Sequence, residues 1–94
     1  MAKWLVERRL SGVGQRLRSL REELAIIDEQ LAQLDDEADD ARIRSLVSET
    51  PLAEREHHDA ERHAAAMAAR RQEVLASIAE LEQRQDALLD ELTA

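Results

Sequence analysis

The chain has 94 residues, with no cysteine, one tryptophan as its only aromatic residue, two glycines, one proline and a net charge of −8. The lack of cysteine excludes a disulfide scaffold, a thiolate zinc site and a thiol nucleophile. With so few aromatic and turn-forming residues, a β-sandwich or barrel is not expected. The remaining composition, rich in Ala, Glu, Leu and Arg, is typical of long or coiled-coil helices, so we expect an all-α fold.

The first half of the chain carries a heptad repeat of apolar residues, with alternating spacings of three and four over about five heptads. Its members are Leu10, Val13, Leu17, Leu20, Leu24, Ile27, Leu31, Leu34, Ala38 and Ala41. A period of 3.5 residues predicts a helix that supercoils against a partner helix. After Ala41 the phase of the repeat shifts, and we expect Ile43, Leu46 and Val47 to carry the apolar face there.

The segment Ser11-Gly12-Val13-Gly14 interrupts this first helix. Two glycines in a helix cost roughly 1–2 kcal/mol relative to alanine. The segment therefore predicts a break or kink at 11–14, with Ser11 capping the helix that follows. The alternative is that Gly12 and Gly14 allow a partner to approach closely.

The only proline marks the connection between two helices. Thr50 is a good N-cap residue, and Pro51 suits the first position of a helix, where its missing N–H is not needed. We predict one helix over 4–47, a turn at 48–50 and a second helix over 51–92, all within a single domain of residues 1–94. So short a connection favours an antiparallel hairpin.

The second helix supplies a matching apolar stripe. Its members are Ala60, Ala64, Met67, Arg71, Val74, Ile78, Leu81, Gln85, Leu88 and Leu92. Folding the chain at the turn places Leu17 opposite Leu81, and the polar Arg71 and Gln85 would then set the register. Leu75 and Leu89 widen this stripe. Because a wider stripe is typical of bundles with more than two helices, we expect self-association, most simply a dimer that forms a four-helix bundle.

Charge is distributed unevenly along the chain. Residues 1–21 have a net charge of +5, while residues 22–61 hold fourteen acidic residues and three arginines. Acids on the second helix would pair with the basic arm, and no aromatic residue lies among its positive charges, so direct nucleic-acid binding is not expected.

No segment predicts a transmembrane helix or a signal peptide, and an excess of arginine over lysine is typical of high-GC bacteria. We therefore expect a bacterial cytoplasmic protein without membrane partners.

The densest acidic segment is Asp36-Glu37-Ala38-Asp39-Asp40-Ala41. It resembles the Asp-x-x-Asp-x-Ala motif at the coiled-coil tip of DksA-type transcription factors, and Gre factors likewise insert an acidic helical hairpin into the secondary channel of RNA polymerase. The resemblance covers six residues and implies that Asp36 and Asp39 would act in that channel. The four-cysteine zinc finger common in the DksA family is not present in this chain. The acids also precede the predicted turn by about eight residues or more.

Three histidines lie close together in the second helix. Glu54 and His57 form a Glu-x-x-His pair of the kind that presents two ligands on one helix face in di-iron bundles. Asp59 and His63 form a second pair, one helical turn apart, and a dimer built around such a site would resemble encapsulated ferritins. The alternative is that the histidines are titratable surface residues, and we assign no metal ligand or cofactor from this pattern.

Nothing in the sequence gathers a nucleophile with a base, and no phosphate-binding loop is present. We therefore interpret the chain as a non-catalytic coiled-coil adaptor or regulator of another protein. The expected anchor is the apolar flank of Trp4, Leu5 and Leu89, with the acidic half selecting the partner electrostatically. A transcription regulator that uses Asp36 and Asp39 in the polymerase channel is the first alternative, and a metal-binding bundle is the second.

Overall fold

The computed structural model describes residues 2–94, which form two long helices joined by a two-residue connection. Helix α1 spans Lys3–Ser48 and helix α2 spans Pro51–Thr93, and the two pack against each other as an all-α hairpin. The helices begin and end within one residue of the expected bounds. Neither helix in this described range is long and apolar enough to cross a membrane.

Helix α1 continues through residues 11–14, so the break expected there is absent. Neither glycine has another group within 4 Å of the position where a Cβ would lie, so no close approach within the chain requires them. Packing explains the continuity, because Val13 and Leu17 on this part of α1 are buried. Burying a valine or leucine contributes about 1.5–3 kcal/mol, which outweighs the roughly 1–2 kcal/mol that two glycines cost.

The chain divides into two compact units, each of which pairs a segment of α1 with a segment of α2. The terminal unit comprises residues 2–24 and 73–94 of the described chain. Its core is large and aliphatic: Val6, Val13, Leu17, Leu20, Val74, Ile78 and Leu88. The turn unit is Ala25–Gln72, and apart from Ile27 its buried residues are alanines: Ala41, Ala53 and Ala64.

The heptad positions assigned from the sequence are all buried or half-buried in the structure. The two polar positions follow this pattern, since Arg71 and Gln85 are both half-buried. Arg71 donates from Nε to Asp28 Oδ1 at 2.6 Å, which links the two helices within the turn unit. In the terminal unit, Arg21 Nη2 lies 3.6 Å from Glu82 Oε2, one of the pairs expected between the basic arm and α2.

The connection consists of Glu49 and Thr50. The Ala53 N–H donates to Thr50 Oγ1 at 3.2 Å, and the Glu54 N–H donates to the Thr50 carbonyl at 3.1 Å. Thr50 is therefore the N-cap of α2, with Pro51 at the first helical position, as the sequence predicts. Glu49 has a φ of 52°, the left-handed conformation that commonly ends helices.

Candidate protein-interaction surfaces

Trp4, Leu5 and Leu89, the expected anchor, all belong to the terminal unit. The N–H groups of Leu5 and Val6 donate to the Ala2 carbonyl at 3.0 and 3.2 Å, so α1 is formed from its first turn and holds Trp4 on a regular helix. Trp4 is 64% exposed and Leu89 is 44% exposed, whereas Leu5 is half-buried. Two of the three side chains are thus available to a partner, and Leu5 is only partly accessible.

Asp36 and Asp39 are exposed on α1 in the turn unit. Asp39 Oδ1 accepts hydrogen bonds from Arg42 Nε at 3.3 Å and from Arg42 Nη2 at 3.2 Å. At a rise of 1.5 Å per residue, the two acids lie roughly 18 and 14 Å along the helix from its last residue, Ser48. The acids therefore line the flank of the helix instead of the turn.

Large apolar side chains are exposed where α1 approaches the turn. Ile43, Leu46 and Val47, which we call the apolar triad, are 50%, 66% and 80% exposed. The expectation that the buried face shifts onto these residues after Ala41 is therefore wrong. Leu52, in the first turn of α2, is also exposed.

The buried face of α1 keeps its heptad phase, and this explains the exposure of the triad. Ala41 is buried and Ser45 is half-buried, which continues the spacing of three and four residues. Ile43 lies two residues from each of them, about 200° around the helix at 3.6 residues per turn. A continuous helix cannot turn a new face toward α2 over two turns without a local change in its winding. Extending the heptad frame past Ala41 would have placed the triad outside from the sequence alone.

The histidines do not assemble a metal site within one chain. His57 is half-buried, and its Nε2 lies 2.7 Å from Glu61 Oε1, one turn further along α2. Within residues 2–94, no group of three or more His, Asp or Glu side chains is arranged to hold a metal ion. The metal hypothesis therefore depends on ligands contributed by a second chain.

The turn unit also has an open groove of about 370 Å³, lined by Leu34, His63, Ala66, Met67 and Arg70. An adjoining depression of about 400 Å³ involves Asp59 and Arg62 as well. Among the described residues no charged side chain is buried, and no buried side-chain nitrogen or oxygen lacks a hydrogen-bond partner. The groove is an open surface on which apolar side chains lie beside the polar His63 and Arg70.

These features define a two-helix hairpin whose candidate sites are exposed faces of helices. No protein-family model, curated protein or solved structure matches the chain. The surface features that bear on its function are the exposed tryptophan of the terminal unit and the apolar triad and exposed acids of the turn unit.

Proposed function

We propose that this chain is a non-catalytic coiled-coil adaptor or regulator that binds another bacterial cytoplasmic protein through a helix face. The observation that carries the proposal is the exposure of Trp4, the only aromatic residue, on a regular helix. Tryptophan is among the residues most enriched at the energetic centres of protein interfaces. The core of the terminal unit is complete without this side chain, so its apolar surface is available for binding.

Leu89 supports the same interpretation from α2. It is exposed, although the half-buried Gln85 and Leu92 near it face the helix–helix interface. An apolar residue just outside that interface suits contact with a further helix. Self-association into a four-helix bundle belongs to this proposal, and sedimentation of the purified chain at increasing concentration measures it directly.

The test uses the W4Q L89Q variant. Both side chains are exposed, so the free energy of unfolding is expected to change by less than about 1 kcal/mol. A partner is first captured on the wild-type chain and identified by mass spectrometry, and its affinity is then measured with both proteins purified. Trp4 is the only tryptophan of the chain, so a blue shift of its fluorescence on binding to a tryptophan-free fragment of the partner reports its burial directly.

The matched control is I26Q, which replaces a 55% exposed isoleucine in the turn unit. We expect W4Q L89Q to weaken partner binding by about tenfold or more, equivalent to about 1.4 kcal/mol, and I26Q to leave it unchanged. Equal affinity of W4Q L89Q and wild type would contradict the assignment of this surface.

The two alternatives have less support. For the RNA-polymerase hypothesis, Asp36 and Asp39 lie on the flank of α1, and the exposed acid in the turn itself is Glu49. An effect on transcription that is lost in D36N D39N without unfolding would support that hypothesis. For the metal-bundle hypothesis, metal that copurifies with the chain and is lost in His57→Ala would do so.

A further inference from the structure

The outer face of α1 in the turn unit carries two triads in the same helical frame. The apolar triad is Ile43, Leu46 and Val47. Each of its members lies seven residues after one of three aspartates, which we call the acid triad. The acid triad is Asp36, Asp39 and Asp40, and all six residues are exposed. An interval of seven residues is two turns, or about 10 Å along the helix. One face thus presents a negative patch followed by an apolar patch.

The apolar triad is not buried between the two helices of the hairpin. The positions of α1 that face α2 here are Ala41 and Ser45, and Ala53 is the buried residue at the start of α2. Small residues thus occupy the interface positions of this segment. The larger apolar side chains of this segment therefore face away from α2, where only a separate molecule can cover them. Anchors at i, i+3 and i+4 are the pattern by which one helix packs on another.

The acid triad presents exposed negative charge to a partner. In the described part of the chain, Asp36 and Asp40 form no salt bridge, and Asp39 pairs with Arg42 at 3.2 Å. The turn unit as a whole contains twelve acidic and six basic residues, a net charge of −6. Its field therefore favours a cationic partner and opposes an anionic one.

We propose that the outer face of α1, from Asp36 to Val47, binds an amphipathic helix of another protein that carries apolar residues beside lysines or arginines. The apolar side chains of that helix cover Ile43, Leu46 and Val47, and its cations lie about 10 Å along the axis, against the acid triad. This proposal takes from the proposed function only the premise that the chain is a binding protein. It concerns a different surface from Trp4.

Other occupants of this face fit less well. A second copy would bring two units of net charge −6 together, and these like charges repel each other. A membrane surface that is anionic would be repelled by the acid triad. A basic helix meets neither obstacle.

The test uses a defined probe, a synthetic helical peptide of three heptads with leucines on one face and lysines on the same face in the adjacent heptad. Two matched peptides replace either the lysines with glutamates or the leucines with serines. Binding of each peptide to the full chain is measured by titration calorimetry at low and high salt. We expect the basic apolar peptide to bind, with an affinity that falls as salt rises, and both matched peptides to bind at least about tenfold more weakly.

Three variants of the chain locate the binding face. We expect L46Q V47Q to bind the peptide tenfold or more weakly, because it removes the two most exposed apolar anchors. Glutamine favours the helix and leaves the net charge unchanged. D36N D40N is expected to bind more weakly at low salt and to show a flatter salt dependence. I26Q removes an exposed isoleucine from the same side of α1 outside the triad, and it should bind like the wild type. W4Q L89Q should also bind the peptide normally, which separates this site from the proposed anchor.

Several results would overturn the proposal. They are equal binding of the acidic and basic peptides, full binding by L46Q V47Q, or no binding of the basic peptide by the wild type. Sedimentation of the wild type and L46Q V47Q without peptide tests the second copy as occupant, since a dimer that L46Q V47Q abolishes would assign the face to self-association. Flotation with zwitterionic vesicles that L46Q V47Q abolishes would assign the face to a lipid surface instead.

Discussion

Glu49 is the one residue of the described chain with a positive φ. Its φ of 52° is left-handed, and its N–H donates to the Ser45 carbonyl at 3.1 Å, so it ends α1 at the position where glycine is usual. For a residue with a Cβ this conformation costs about 1–2 kcal/mol. The cost is tolerated because Thr50 caps α2 immediately afterwards and fixes the path of the chain.

We therefore expect Glu49→Gly to raise the free energy of unfolding by about 1 kcal/mol. Glycine adopts the left-handed conformation without the steric penalty. Urea unfolding followed by circular dichroism measures the change, with Glu49→Ala as the matched control, because alanine removes the acid and keeps the Cβ. An equal gain in both variants would show that the charge of Glu49, and not its backbone, is responsible.

At the scale of the helix, α1 depends on packing more than on the helix propensity of its residues. Gly12 and Gly14 lie in open positions on a continuous helix, and the buried Val13 between them keeps the segment against the core. The sequence alone shows the local cost of two glycines and suggests a break. It does not show that the buried residues on either side share one phase, which makes a continuous helix the better solution.

Gly12→Ala and Gly14→Ala are each expected to stabilise the chain by about 0.8–1.0 kcal/mol. Neither position has a neighbour within 4 Å of the added Cβ, so no contact opposes the gain. Gly12→Pro provides the discriminating control. In a continuous helix it should cost about 3 kcal/mol or more, whereas a helix that began at Ser11 would accept proline in its first turn. Thermal unfolding of the three variants decides between these cases.

The end of α1 shows where prediction from the sequence fails at this scale. The heptad positions up to Ala41 are predicted correctly because apolar residues occupy them without interruption. Beyond Ala41 the large apolar residues no longer occupy the heptad positions, so hydrophobicity alone predicts the wrong buried face. The structure keeps the frame, so Ser45 is half-buried and Val47 is exposed. This departure from the usual distribution of apolar residues is the basis of the proposed docking face.

For the whole molecule, the hairpin itself is the most secure prediction. The two apolar stripes, the Thr50–Pro51 start of α2 and the complementary charges all indicate the same pairing, and their agreement is stronger evidence than any one of them. The surface is less predictable from the sequence. Trp4 and Leu89 are exposed, but Leu5, the third residue of the expected anchor, is half-buried. What covers the exposed side chains depends on a second molecule, which the pattern of one chain does not identify.

Substitutions of Arg71 test how much this residue contributes to the stability and register of the helix pair. It is half-buried at the helix–helix interface and bonds Asp28 at 2.6 Å, with both side chains more than a third exposed to water. An ion pair of this exposure is worth about 0.2–1 kcal/mol, whereas burying a leucine contributes up to about 1.5–3 kcal/mol. Arg71→Leu is therefore expected to raise the free energy of unfolding by about 1 kcal/mol, while Arg71→Ala, which loses both the bond and the packing of the arginine stem, should lower it.

The gain in stability should bring a loss of specificity. A polar residue at an interface position restricts the register and the oligomeric state of coiled coils, so sedimentation of Arg71→Leu should show additional larger species while the wild type shows one. A lower free energy of unfolding in both Arg71→Leu and Arg71→Ala would mean that the bond to Asp28 outweighs burial. The residue would then hold the hairpin together as well as set its register.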